Sequence, residues 1–143
     1  LVSGILVVRN PLMLAGILLL LTPSVGIYEA RRGTWRAITL FLVVHIVTLL
    51  LTTALVVWPL HLAGARLQAD WAPSGDVGAS FGEFGCLGAR LTRLPFRGRS
   101  LWIPIVLLML ALKLVLIPER FGDVGHMIAF VVGMGLDRLL FGA

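Results

Sequence analysis

Three observations predict an all-α, polytopic membrane helical bundle. Apolar residues fill 59% of the 143 positions and charged residues 13%, about half the charged share of a soluble domain. The apolar residues fall into five runs of roughly 17 to 24 residues, the length a helix needs to cross a bilayer at about 1.5 Å per residue. Arginines gather in alternate connections between those runs. The expected organisation is one transmembrane domain over residues 1–143, with helices at about 11–27, 35–58, 78–94, 101–117 and 122–140.

The first run, Pro11 to Ile27, follows a shorter apolar stretch, Leu1 to Val8, which Arg9-Asn10-Pro11 interrupts. That stretch reads either as the tail of a preceding helix or as an interfacial segment. The second run, Trp35 to Trp58, carries His45, Thr48 and Thr52 at spacings of three and seven, hence on one helix face. Such residues hydrogen-bond neighbouring helices in a bilayer. His61 sits beside Trp58 in the following connection, an interfacial position. The third and fifth runs, Gly78 to Leu94 and Gly122 to Leu140, are glycine-rich. In hydrocarbon the backbone must bond to itself, so even these read as helices. The fourth, Leu101 to Ile117, holds Lys113 four residues before its end, poised to snorkel toward Glu119 or to meet Glu83 at matching depth.

Charge sets the expected orientation. The net charge of +5 comes from 11 Arg and one Lys against seven acids. Arg31, Arg32 and Arg36 flank the connection after the first run, and Arg90, Arg93, Arg97 and Arg99 the one after the third. Both are expected in the cytoplasm. Residues 59–77 and 118–123 balance their arginines with acids and are expected outside. No basic stretch is interleaved with aromatics as a nucleic-acid surface requires, so nucleic acid is excluded as a partner. The single Cys86 excludes an internal disulfide, and no metal cluster, phosphate loop or cofactor fingerprint appears.

Two echoes carry the chemistry. Gly75-Asp76-Val77-Gly78 leads into Ala79-Ser80, and Gly122-Asp123-Val124-Gly125 leads into His126. Both open an outside-facing helix end, so Ser80 and His126 are expected at one depth, near the outer face. Ser80 is a candidate nucleophile and His126 its general base, with backbone N–H groups of Ala79 and Ser80 at the helix opening as an oxyanion site. Asp76 and Asp123 read as helix caps, and Asp123 can also orient or stabilise a protonated His126. Gly78 and Gly82, then Gly125, Ala129 and Gly133, recur at four-residue spacing and would let the third and fifth helices approach closely.

These residues resemble the rhomboid family of intramembrane serine proteases. Glu29-Ala30-Arg31-Arg32-Gly33 is similar to the family's E-x-x-x-G after its second helix. Gly78-Ala79-Ser80, with Phe84 and Gly88 beyond it, resembles the nucleophile helix, and Gly125-His126 with Ala129 and Gly133 resembles the His helix. By this alignment the five runs are the family's second to sixth helices, and its first is absent from this sequence. The resemblance implies an integral protein of a bacterial cytoplasmic membrane, without cofactor, whose partners are membrane lipids and the transmembrane helices of substrate or partner proteins.

The chain departs from the family at three places. G-x-S-G reads Gly78-Ala79-Ser80-Phe81, which puts an aromatic ring beside the nucleophile, where it is expected to obstruct helix contact. Ile17 and Met13 occupy the positions of the family's oxyanion Asn and its companion His, and Asn10 lies on the same face but about 10 Å farther out. Ala129 stands where Gly is usual. Two functions follow: a serine protease cleaving transmembrane segments with Ser80 and His126, or a catalytically inactive subunit that binds transmembrane helices in a larger complex. A transporter built on Glu83, Lys113 and His45 is a third reading, but no paired repeats or broken helices accompany it.

Overall fold

The computed structural model describes residues 18–64, 79–116 and 120–142, together with Ala15. Expectations for Asn10, Met13, Ile17, Asp76, Gly78 and Glu119 lie outside the described residues. Every regular element among the described residues is helical. Residues 18–21 and a π-turn at Thr22–Gly26 lead into α1 (Ile27–Arg32); α2 is Thr34–Leu62, α3 Ser80–Thr92, α4 Phe96–Leu116 and α5 Arg120–Phe141. By length and composition, α2, α4 and most of α5 are long and apolar enough to cross a membrane, three such helices among the described residues.

Local chemistry explains where these helices depart from the expected boundaries. The first runs on to Arg32, where Gly33, at φ 88°, adopts a conformation that a side chain would strain. Its N–H closes the helix on the Glu29 carbonyl at 2.7 Å, and Thr34 Oγ1 donates to Glu29 Oε1 at 2.8 Å. The Glu29–Gly33 motif is thus a helix stop joined directly to the next start. The second helix continues past Trp58 to Leu62, through Pro59, by loosening to π geometry at Thr53–Val57. Proline has no N–H for the preceding turn, and the wider π-turn accommodates that loss. The fourth begins at Phe96, five residues before the apolar run, where the Arg99 N–H bonds the Pro95 carbonyl at 3.0 Å and the Arg99 guanidinium lies 5.4 Å from the Phe96 ring.

A short buried helix organises the bundle. At about 1.5 Å per residue, the 13 residues of α3 span only about 20 Å. Nine of them are buried, namely Phe81, Gly82, Glu83, Gly85, Cys86, Gly88, Ala89, Leu91 and Thr92, so this helix is enclosed on nearly all sides. Its most extensive neighbour is α5, then α2, and those two also pack on each other. By contrast, α4 buries only Leu110 and lies at the periphery.

Glycines set the helix separations, with one change from the expected pattern. A Cβ on Gly133 would fall on the Gly85 carbonyl group and within 2.6 Å of Gly85 Cα; one on Gly88 would fall on the Phe130 carbonyl. Backbone therefore meets backbone between α3 and α5. Gly82 instead turns toward the Phe41 ring of α2. Gly85 likewise turns its Cβ position toward Val44 of α2 while its backbone lies under Gly133, and Gly88 is the α3 glycine that faces α5, because the rotation of the helix, not its four-residue spacing, decides which neighbour a small residue meets. Ala129 is wholly buried in the same core. Gly133→Leu should destabilise the protein by roughly 1 to 3 kcal/mol through overpacking, read as a lower unfolding temperature in detergent. An unchanged transition would contradict the backbone contact.

Candidate functional site

Ser80 is the first residue of α3, after Ala79, and His126 lies in the second turn of α5. The close α3–α5 contact brings them together: Ser80 Oγ and His126 Nε2 are 2.9 Å apart, 46 positions apart in sequence. Both side chains are partly buried. The first N–H groups of a helix lack intrahelical acceptors, and the earliest of the α3 bonds described is Glu83 N–H to Ala79 O at 3.2 Å. Ala79 and Ser80 thus lie where donors and the positive end of the helix dipole are concentrated, beside the hydroxyl.

Two aromatic rings hold the imidazole. Phe84, one turn beyond Ser80, lies against it with centroids 4.7 Å apart, and Phe81 meets it edge-on at 5.5 Å and 77°. Such contacts favour one ring orientation. Phe81 does not obstruct the helix pair. Its ring occupies the space over Gly125, where a Cβ would collide with it, and it is 1% exposed. On its other sides lie His45 of α2 and Phe121, at centroid distances of 6.0 and 6.4 Å. The bulk gained at position 81 is absorbed by the absence of a side chain at position 125.

Two carboxylates, Asp123 and Glu83, lie near the pair, and only Asp123 is seen with an ionic partner among the described residues. Asp123 lies inside the first turn of α5, one turn before His126, and its carboxylate pairs with Lys113 of α4. The lysine therefore meets Asp123, a partner not anticipated from the sequence. Glu83, one turn below Ser80, is fully buried, and its two oxygens have no hydrogen-bond partner among the described residues. His45, Thr48 and Thr52 are likewise fully buried, on the shared face that their spacing predicts. No group of three or more metal-binding side chains occurs among the described residues.

A second polar cluster lies at the other end of the bundle, about 16 Å along α5 from His126. Tyr28 Oη donates to Asp137 Oδ1 at 2.5 Å, and Arg93 Nε donates to Asp137 Oδ2 at 2.7 Å. Arg93 Nη2 also reaches the Gly142 carbonyl at 2.7 Å. Sequence reasoning passed over Asp137; its signal was an acid within an apolar helix, which needs a partner. The cluster ties α1, α3 and α5 together. Asp137→Asn should cost about 2 kcal/mol, because the amide removes the ion pair with Arg93 and leaves one acceptor oxygen for two donors, Tyr28 and Arg93. Chemical unfolding in micelles measures this, and a loss near zero would remove the cluster's structural role.

Taken together, the apolar helices and the half-buried Ser80–His126 pair describe a helical membrane protein with a serine and a histidine at one end of its bundle. A family model described as "Rhomboid-like protein" matches residues 17–143. The chain belongs to the rhomboid-like family, and it is a membrane protein. No curated protein and no solved structure matches it.

Proposed function

We propose that this protein is an intramembrane serine endopeptidase that cleaves transmembrane segments near the outer face of a bacterial cytoplasmic membrane. The observation that carries this reading is the 2.9 Å separation of Ser80 Oγ and His126 Nε2 at the start of a buried helix. In the proposed reaction, His126 Nε2 takes the hydroxyl proton as Ser80 Oγ attacks the scissile carbonyl. The oxyanion develops beside the N–H groups of Ala79 and Ser80. The C–N bond then breaks, His126 returns the proton to the leaving amine, and water, activated by the same imidazole, releases the acyl group from Ser80. The arginine asymmetry supports a cytoplasmic location for residues 29–36 and 90–100, and hence an outward Ser80.

Labelling with a fluorophosphonate tests this reading. The expected result is one adduct on Ser80, lost in His126→Ala. Absence of any adduct on folded protein would count against the protease. It would favour a catalytically inactive member that binds transmembrane helices, a reading supported by Ile17 and Met13 at the positions of the family's oxyanion Asn and companion His.

A further inference from the structure

Glu83 lies in the first turn of α3, fully buried, and neither of its side-chain oxygens has a hydrogen-bond partner among the described residues. Its spacing from Ser80 is that of a capping box, S-x-x-E, in which the acid reaches back to a free N–H at the helix start. That bond is not made here, since both oxygens are unpartnered. An ionised carboxylate without a partner is among the costliest groups to bury, whereas the neutral acid costs less and carries one O–H donor. The first turn of α3 thus holds a donor that the Ser80–His126 pair does not use.

Helix geometry places this donor beside the nucleophile. Residues three apart are neighbours on a helix surface, about 5 to 6 Å between Cβ atoms, and a helical side chain leans back over the turn before its own Cα. Glu83 therefore leans toward the turn of Ser80. At about 100° per residue, Phe81 and Phe84 fall to one side of Ser80 and Glu83 to the other. His126 takes the aromatic side, against Phe84 and edge-on to Phe81, with Nε2 2.9 Å from Ser80 Oγ. The other side faces the segment before α1, where Arg90, two turns beyond Glu83 on the same face, donates to the Pro23 carbonyl at 2.6 Å. Base and acid flank the hydroxyl at the helix start, where the N–H groups of Ala79 and Ser80 also gather.

We propose that Glu83, as the neutral acid, is a further catalytic residue of the protease reading, on which this role rests: it donates a hydrogen bond to the substrate oxygen that becomes negative when Ser80 attacks. In that step Ser80 Oγ bonds to the carbonyl carbon, the C=O π pair moves onto oxygen, and the hydroxyl proton passes to His126 Nε2. Glu83 keeps its own proton and shares it with the oxyanion. When the intermediate collapses, the C=O bond re-forms and Glu83 is unchanged.

The rate of fluorophosphonate labelling on the full chain in detergent tests this role without a known substrate, because the phosphonyl oxygen takes the place of the carbonyl oxygen. Glu83→Leu should lower the maximal labelling rate about 10² to 10³-fold, the scale of losing one oxyanion donor, with little change in the concentration that gives half of it. The same variant should melt at or above the parental temperature, since an apolar side chain replaces an unmatched buried polar group. Glu83→Gln keeps an N–H donor and should label within about tenfold of the parent. Glu83→Met, apolar and unbranched, carries the test if Glu83→Leu does not fold. A parental labelling rate in the folded apolar variant would overturn the role of Glu83 and leave the Ser80–His126 pair standing. Equal losses in folded Glu83→Leu and Glu83→Gln would overturn the neutral acid in favour of a carboxylate that meets a cation. A parent that takes no adduct on Ser80 would overturn the protease reading and this role with it.

Discussion

Ser80→Ala and His126→Ala are each expected to reduce cleavage of a helical substrate to the same background, a loss of several orders of magnitude. Residues that act as one unit fail together, so the double variant should be no worse than either single one. The shared hydrogen bond at 2.9 Å motivates this non-additivity. Neither substitution removes a large buried group, and both side chains are partly exposed, so the unfolding temperature should move little. Cleavage of a purified substrate in proteoliposomes measures the effect. Full activity in Ser80→Ala would remove Ser80 as nucleophile, and activity surviving in His126→Ala alone would remove the histidine as base.

Much of this arrangement was legible in the sequence. Membrane helices announce themselves by length and apolarity, and the rough positions of the three described helices long and apolar enough to cross a membrane, α2, α4 and most of α5, follow from that alone. The Ser80–His126 encounter was legible for a different reason: two echoes open two helices that run parallel from the same end, and glycines permit close approach. What escaped was rotation about each helix axis. Spacing places Gly82 in line with Gly78, but only the packed bundle turns Gly82 toward Phe41 and gives the α5 contact to Gly85 and Gly88. The Lys113–Asp123 pair and the Tyr28–Asp137–Arg93 cluster escaped likewise, since a charge in an apolar run signals that it needs a partner without saying which.

Phe81 is where rotation matters most for function, and Phe81→Gly is expected to destabilise the protein by about 3 to 5 kcal/mol, the range for emptying a buried aromatic site. From the sequence alone the ring reads as an obstruction whose removal should raise activity. In the folded chain it fills the gap over Gly125 and touches His45, Phe121 and His126, so its loss opens a cavity beneath the imidazole. His126 would keep Phe84 on one side and lose its edge-on neighbour. Cleavage per folded molecule should therefore fall or stay level, and should not rise. Moving the bulk across the interface sharpens the test: Gly125→Leu alone collides with the ring, whereas Gly125→Leu combined with Phe81→Gly should recover part of the stability that either change loses. Unfolding in detergent alongside substrate cleavage reads both quantities. A Phe81→Gly protein that melts as the parent does and cleaves faster would return Phe81 to the role of an obstruction, and the Phe81–Gly125 fit would then have no part in positioning His126.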